Sequence, residues 1–164
     1  MDLLKHSLMM QKSAKNLIKN NNINKILNSI GDVEIIGSYK HKLMYDPDID
    51  IIVKSKNPKE SSLKALELFV SDQKFQKFEY GDFVTFPREK RPSGYIICLR
   101  KTVDKIKWEI EIWFLPEYED ILEGVKITAK KKLEILKAKH TRSIGGQSKH
   151  AISSYELYKK ILEI

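Results

Sequence analysis

The stretch EIIGSYKHKLMYDPDIDIIV, residues 34–53, decides the fold. A short apolar run ends at Gly37-Ser38, a basic and turn-rich segment follows, and a second apolar run then carries Asp48 and Asp50. Aspartate is depleted in β-strands, so two aspartates in one strand-like run require an explanation. Because side chains alternate along a strand, this pattern predicts both carboxylates on one face and isoleucines on the other.

Composition and charge indicate an ordinary folded domain. The 164 residues include 41% hydrophobic and 32% charged residues, which is typical of a globular chain with its own core. The formal net charge of +8 favours polyanionic partners such as nucleotides or nucleic acid. Only four of the 30 basic residues are arginines, however, and lysines on solvated faces are the commoner explanation for such a charge.

Several classes of protein are excluded by what the sequence lacks. Cys98 is the single cysteine, which leaves neither a disulfide framework nor a thiolate metal site. The N-terminal segment has no uninterrupted apolar run of the kind found in secretory signal peptides. No apolar run approaches the ~18 residues that span a bilayer. The sequence therefore predicts a cytoplasmic protein with no membrane partner.

Helical periodicity marks both ends of the chain. Two stripes flank the polar break at Lys19–Asn22, and the second ends at Gly31. Another helix is predicted to open at Asn57-Pro58, because proline suits the first helical position. Its predicted buried stripe consists of Leu63, Leu66, Phe69 and Val70.

The C-terminal part is also predicted to be helical. A long amphipathic helix is expected from Ile121 through Leu136, ending near Gly145-Gly146. Either Ser148 or Ser153 can cap a final helix after it.

The segments between these helices have the pattern of strands. An imperfect alternation around Gly81-Asp82 indicates either a hairpin or a bulge. The strand-like segments are 33–36, 48–53, 78–86, 95–100 and 108–115. This order predicts an α+β fold with a mixed sheet of about four to six strands, helices mainly on one face, and helical termini. The predicted single domain covers residues 1–164, with its core at 33–115 and helical flanks at 1–30 and 118–164.

Acidic residues on two predicted strands indicate a metal site. The Cα atoms of Asp48 and Asp50 lie about 6.7 Å apart on one strand face. Their carboxylates repel each other there unless a cation lies between them. The later strand WEIEIWFL places Glu109, Glu111 and Trp113 on one face. If the two strands are neighbours, a third carboxylate reaches the same point. Carboxylate oxygens suit Mg²⁺, and three of them fit a two-ion site for phosphoryl transfer.

The Gly-Ser pair predicts a phosphate-binding corner. Glycine at a strand end lets the backbone approach a phosphate, and successive N–H groups there bind anions. Ser38 adds a hydroxyl, while Lys40 and Lys42 add positive charge. Simpler explanations stay open: Ser38 as a helix cap, solvated lysines, and aspartates on the wet face of an edge strand. Trp113 either stacks on a base or is buried under a neighbouring helix.

The stretch from Ile35 to Val53 resembles the signature of the polymerase-β-type nucleotidyltransferase superfamily, in particular its small free-standing members. An apolar strand ends in Gly-Ser, nine residues (39–47) separate Ser38 from Asp48, and an Asp-x-Asp strand follows. The segment EIEIWF is similar to the later acidic strand of that superfamily. The resemblance covers about Val33 to Leu115.

This resemblance implies particular roles for the residues of the motif. It implies that Asp48 and Asp50 bind Mg²⁺, and that Glu111 completes the metal site and takes a proton from the attacking hydroxyl. Glu109 shares the face of Glu111 and remains the alternative third carboxylate. The nucleotide-binding residues are then Gly37, Ser38 and Lys40.

The implied reaction is transfer of a nucleoside monophosphate from a nucleoside triphosphate to a hydroxyl acceptor, with release of pyrophosphate. The acceptor is a protein, an RNA end or a small molecule, and small members of this kind often act beside a partner protein. Two other hypotheses stay open. One is a non-catalytic module with the same fold that contacts RNA or protein, and the other is a metal-dependent phosphatase or nuclease.

Overall fold

Five strands form one mixed sheet. The computed structural model describes residues 2–146 and 153–164. The strands are β1 (Asp32–Ile36), β2 (Asp48–Lys54), β3 (Lys77–Asp82), β4 (Tyr95–Val103) and β5 (Ile106–Leu115). Their order in the sheet is β1-β2-β5-β4-β3. Strands β2 and β5 run parallel, and the other neighbouring pairs are antiparallel.

Helices precede, interrupt and follow the sheet. Those in the described ranges are α1 (Leu3–Asn20), α2 (Ile23–Asn28), α3 (Gly37–Lys40), α4 (Pro58–Asp72), α5 (Ala129–Ile144) and α6 (Ser154–Leu162). Helices α1, α2 and α4 bury their apolar side chains in one core with the sheet, and α5 contacts α1 and α6. The predicted α+β fold, with a mixed sheet and helical termini, is confirmed.

The largest core cluster lies on one face of the central strands. Ile49 and Ile51 of β2 are 1% and 0% exposed, and they pair with Ile110 and Ile112 of β5. Fully burying each such side chain contributes about 1.5–3 kcal/mol. Because strand residues alternate between faces, Asp48, Asp50, Glu109 and Glu111 lie on the opposite face of the sheet. Ile52 and Trp113 on that face belong to a second, smaller buried cluster. The apolar residues thus fix the orientation of both strands.

A tight hairpin joins β4 to β5. Its two loop residues, Asp104 and Lys105, have φ angles of 50° and 65°. Two consecutive positive φ angles are typical of a type I′ turn, which matches the twist of the flanking strands. The hairpin pairs Val103 with Ile106 and fixes the register of β5 beside β4.

The predicted buried stripe of α4 is partly wrong. Leu63 and Val70 are 48% and 50% exposed, whereas Ser62, Ala65 and Phe69 are fully buried. The small side chains at positions 62 and 65 let α4 approach the sheet closely. The Ser62 hydroxyl is satisfied there, since it contacts the Lys59 carbonyl at 2.7 Å and the Tyr80 hydroxyl at 3.1 Å. The hydrophobicity pattern alone therefore predicts the buried face of α4 only in part.

The long C-terminal helix begins later than predicted. It starts at Ala129 rather than near Ile121, and Thr128 caps it by accepting a hydrogen bond from the Lys131 N–H. Before it, the Asp120 carboxylate accepts from the Leu122 N–H, which favours a turn over a helix. The end near residues 145 and 146 agrees with the prediction.

Two smaller predictions concern segments on either side of the sheet. Strand β3 pairs continuously with β4 and ends at Asp82, so residues 78–86 contain neither a hairpin nor a bulge. The Asp82 carboxylate instead accepts from the Val84 and Thr85 N–H groups and turns the chain. At the last helix, Ser153 forms a capping box with Glu156, while Ser148 lies outside the described residues.

Among the helices of residues 2–146 and 153–164, none combines the length and the apolar character that crossing a membrane requires.

The buried face of α4 can be tested by paired substitutions. Phe69→Ala removes a fully buried ring that packs edge-on against Phe75, with ring centroids 5.8 Å apart. We expect the free energy of unfolding to fall by about 3–5 kcal/mol. Leu63→Ala should change it by less than about 1 kcal/mol, because this side chain is largely solvated. Urea unfolding measures both, and a larger loss for Leu63→Ala would contradict this helix orientation.

Candidate metal and phosphate site

Four carboxylates share the sheet face opposite the largest core cluster. The parallel register pairs Asp48 with Glu109 and Asp50 with Glu111. Paired residues on neighbouring strands lie about 4.8 Å apart and project to the same side. Strands β2 and β5 therefore place the predicted Asp48, Asp50 and Glu111 on one face beside Glu109. No three of these four side chains, all of which the structure describes, bring carboxylate oxygens within 4.8 Å of one another.

Gly37 lies directly against one of these carboxylates. It follows β1, begins α3 and has a φ of +61°, a conformation that favours glycine. A Cβ atom at this position would lie only 2.9 Å from Asp50 Oδ2. The absence of a side chain therefore allows the backbone corner and the Asp50 carboxylate to adjoin. The antiparallel pairing of β1 with β2 gives the same proximity, since Ile36, the residue before Gly37, pairs with Asp50.

Ser38 is buried beside this corner and contacts a lysine. Its Oγ accepts a hydrogen bond of 2.8 Å from Lys139 Nζ and lies 3.2 Å from the Tyr158 hydroxyl. Ser38 is not a helix cap, because α3 already begins at Gly37. The hydroxyl instead links the corner to helices α5 and α6.

Lys139 is the site residue that sequence reasoning missed. It is 0% exposed, donates to Ser38 Oγ and to the Leu43 carbonyl at 3.1 Å, and lies 5.3 Å from the centre of the Tyr158 ring. Its hydrogen bonds go to neutral oxygens, and no carboxylate of the described residues is within ion-pair distance. A buried cation with neutral partners attracts an anion to its surroundings.

The helical period contains a signal for this residue. Ile135, Leu136, Lys139 and Arg142 recur at three- and four-residue spacing and form the buried face of α5. A lysine and an arginine that continue an apolar stripe are unusual, because such residues are almost never fully buried without a partner. The many other lysines of this helix obscure the signal.

Lys40 has a different environment from the one predicted for it. Its ammonium contacts Glu34 at 2.6 Å, Asp120 at 3.2 Å and Glu123 at 2.8 Å. Hydrogen bonds to Glu123 and then Glu34 raise the pKa of Lys40 above its ordinary value. These carboxylates compete with any phosphate for the ammonium, and the nucleotide-binding role of Lys40 stays a prediction.

The three carboxylate partners of Lys40 each bring one oxygen within 4.8 Å of the other two. No other set of three acidic residues in the described part of the chain does so. Asp120 is also 2.9 Å from His41 Nε2. Burial opposes ionisation of Asp120, but its hydrogen bonds with His41, the Leu122 N–H and Lys40 lower its pKa overall. Because a lysine ammonium already contacts all three carboxylates, we interpret this set as an ion-pair cluster that joins residues 120–123 to β1.

The two glutamates of β5 have different partners. Arg100 Nε donates to Glu109 Oε2 at 2.9 Å, and the same guanidinium contacts Glu79 at 3.0 Å. Glu111 has a longer contact, 3.4 Å between its Oε2 and Arg91 Nη1. Glu109 thus belongs to an ion-pair network on β4 and β3. Glu111, beside Asp50, is the better placed third carboxylate.

Aromatic residues border the acidic face. Tyr118 and Tyr155 are hydrogen-bonded through their hydroxyls, and burial raises the pKa of each. The negative charge of Asp50 adds to both increases, which places the pair near this carboxylate. Trp113 is 5% exposed and packs against Phe83 at 5.4 Å between ring centroids. Trp113 is therefore buried and does not present its ring to a base.

A cleft adjoins the acidic face at the Asp48–Glu109 pair. Its volume is about 380 Å³, and its lining includes Lys107, Arg142 and Ser143. Arg142 Nη2 donates to Asp46 Oδ2 at 2.7 Å. A cleft of this volume is in the range of small-molecule sites.

Comparison of the chain with protein-family models, with curated proteins and with solved structures finds no match. The resemblance to nucleotidyltransferases therefore rests on the Gly-Ser to Asp-x-Asp spacing and on the acidic strand.

The two lysines near the corner can be distinguished by pyrophosphate binding. Lys139→Met removes the buried cation, and we expect pyrophosphate affinity in the presence of Mg²⁺ to fall about tenfold or more, the range for hydrogen bonds to charged groups. Lys40→Met removes a cation held by three carboxylates, so affinity should stay within about twofold while the unfolding free energy falls by about 1–3 kcal/mol. Isothermal titration calorimetry and urea unfolding measure the two quantities.

The exposed neighbour Lys42, changed to Met, is the matched control for loss of a positive charge. Circular dichroism checks that each variant folds. If Lys40→Met abolished pyrophosphate binding and Lys139→Met did not, Lys40 would be the phosphate ligand and this assignment would be wrong.

Proposed function

We propose that this protein is a Mg²⁺-dependent nucleotidyltransferase of the polymerase-β type. The observation that carries the proposal is the register of β2 and β5, which pairs Glu111 with Asp50 beside the Gly37 corner. A transferase of this kind needs oxygen ligands for a cation and an anion-binding backbone turn at the same place. The proposal is supported by carboxylate oxygens and a glycine turn that lie within one strand pair and its neighbour.

The residues of the acidic face fit the proposed cation. Asp48, Asp50 and Glu111 offer only hard oxygen atoms, which Mg²⁺ prefers. Gly37 has no side chain, and a Cβ atom there would lie 2.9 Å from Asp50 Oδ2. The face is therefore open at this corner. Held by these carboxylates, Mg²⁺ would neutralise charge on the triphosphate and on the attacking and leaving oxygens.

The protein's own groups position the phosphates. The Gly37 backbone permits close approach, and Ser38 supplies a hydroxyl at the same corner. The Lys139 ammonium, 2.8 Å from Ser38 Oγ, adds a buried positive charge that stabilises negative charge developing on the leaving pyrophosphate. In this proposal Lys139 joins the predicted nucleotide-binding residues Gly37 and Ser38.

Glu111 has a second role in the proposal. Its carboxylate accepts the proton of the acceptor hydroxyl, as a general base held on a rigid strand. Glu109 is less suited to this role, since Arg100 contacts its carboxylate at 2.9 Å, closer than Arg91 is to Glu111. The cleft of about 380 Å³ beside Asp48 accommodates a small acceptor or the end of a longer chain.

A non-catalytic binding module is the second candidate. The observation that favours it is the pairing of both glutamates with arginines, Glu109 with Arg100 and Glu111 with Arg91. Ion pairs of this kind reduce the repulsion among carboxylates without a metal. In that case the acidic face would be a structural surface of the sheet.

Nucleotide transfer distinguishes these candidates. Each α-³²P-labelled nucleoside triphosphate is incubated with Mg²⁺, the protein and a cell extract as the source of acceptors, and labelled products and pyrophosphate are measured. We expect Asp50→Asn and Glu111→Gln to reduce transfer about 100-fold or more, because each removes a proposed metal ligand and Glu111 is also the proposed base. Glu109→Gln, the matched control, should reduce it less than about fivefold.

Other outcomes identify the alternatives. If Glu109→Gln abolishes transfer and Glu111→Gln does not, Glu109 is the third carboxylate. If no nucleotide is transferred, and the Asp50→Asn variant is more stable than the natural sequence, the binding module is favoured. Release of inorganic phosphate or cleavage of nucleic acid, instead of pyrophosphate release, would indicate a phosphatase or nuclease.

A further inference from the structure

The loop between β3 and β4, residues 83–94, is anchored against β5. The Phe83 N–H donates to the Gly94 carbonyl at 2.9 Å and closes the base of the loop. Gly94 packs so closely on β5 that a Cβ atom there would lie 2.8 Å from the Phe114 carbonyl. The Phe83 ring packs against Trp113, which lies on the same strand face as Glu111. The loop is thus held next to the acidic face.

Two consecutive cations of this loop contact acidic residues. Arg91 Nη1 lies 3.4 Å from Glu111 Oε2, and Lys90 Nζ lies 3.2 Å from Glu156 Oε1 on α6. The backbone of Lys90 has a φ of +61°, and the Arg91 N–H donates to the Arg88 carbonyl at 3.3 Å. A turn in the loop therefore directs Arg91 to the proposed third carboxylate.

The position of Arg91 conflicts with a divalent cation on Glu111. The Glu111 side chain is 15% exposed, and Asp50 is its neighbour across the strands. A magnesium ion binds carboxylate oxygens at about 2.0–2.1 Å, and a guanidinium at the same oxygen would repel it. Each cation can neutralise Glu111, but the two compete for it.

We infer that Arg91 is a counterion which a divalent cation displaces from Glu111, and that the released guanidinium then contacts the substrate's phosphate groups. The inference rests on the proposed function, because it takes Glu111 as a metal ligand. The Arg91 side chain is 35% exposed, so it has room to move. Guanidinium groups bind phosphates through paired hydrogen bonds. Arg91 contacts Glu111, which pairs with the Asp50 that lies against the Gly37 corner.

This role has opposite effects on two affinities. Without Arg91 the metal loses a competitor at Glu111, so Arg91→Gln should bind Mn²⁺ alone about two- to fivefold more tightly, the range for a partly exposed ion pair. With saturating Mg²⁺, the same variant should bind a non-hydrolysable nucleoside triphosphate about fivefold or more weakly, since a charged phosphate contact is lost. A purely structural role would not move the two affinities in opposite directions.

Mn²⁺ binding is measured by electron paramagnetic resonance of the free ion, and nucleotide binding by calorimetry. Arg88→Gln is the matched control from the same loop, because its guanidinium lies over the Phe83 ring at 5.1 Å. We expect less than a twofold change in either affinity for this control. In a Glu111→Gln background, Arg91→Gln should no longer change Mn²⁺ affinity, because the contact that it removes is already absent.

Three results would overturn the inference. They are an Arg91→Gln variant with unchanged or weaker Mn²⁺ binding, unchanged nucleotide binding, or the same gain in Mn²⁺ affinity in the Glu111→Gln background. The Asp50→Asn variant separates this inference from the proposed function. If the natural sequence binds Mn²⁺ and Asp50→Asn does not, the metal site stands even when the Arg91 result is negative. If the natural sequence binds no Mn²⁺, both fail.

Discussion

The parallel pairing of β2 with β5 is the constraint on which the rest of the structure depends. Isoleucines of both strands fill the core on one face, and their register sets which side chains meet on the other. A slip of one residue would turn these isoleucines to solvent and the carboxylates toward the core. Burying unpaired carboxylates is costly, so the apolar packing that stabilises the sheet also aligns Asp50 with Glu111.

The acidic residues divide into two groups by the cations that accompany them. Glu34, Asp120 and Glu123 surround Lys40, and this cluster attaches a turn of the C-terminal half to β1. In the second group, on β2 and β5, Asp50 lies against the Gly37 corner, while Glu109 and Glu111 contact Arg100 and Arg91. The first group is organised for stability. The second group is the one that we propose to hold the metal of a metal–phosphate complex.

Sequence alone predicted the local features of the site but not its long-range partners. The period of two along each strand was sufficient to place Asp50 and Glu111 on polar faces, while the pairing of those strands came only from the fold. Lys40 was predicted to contact phosphate because it follows the Gly-Ser turn, but its carboxylate partners include Asp120 and Glu123, 80 or more residues away in sequence. Lys139 was missed because its burial depends on how α5 packs.

Paramagnetic broadening by Mn²⁺ tests the central claim most directly. Amide signals of ¹⁵N-labelled protein are recorded as substoichiometric Mn²⁺ is added, because the ion broadens the signals of the residues nearest to it. If β2 and β5 build the metal site, the signals of Gly37, Asp50 and Glu111 lose intensity first. Broadening centred on Glu123 and its neighbours, or spread evenly over the acidic surface, would contradict the account.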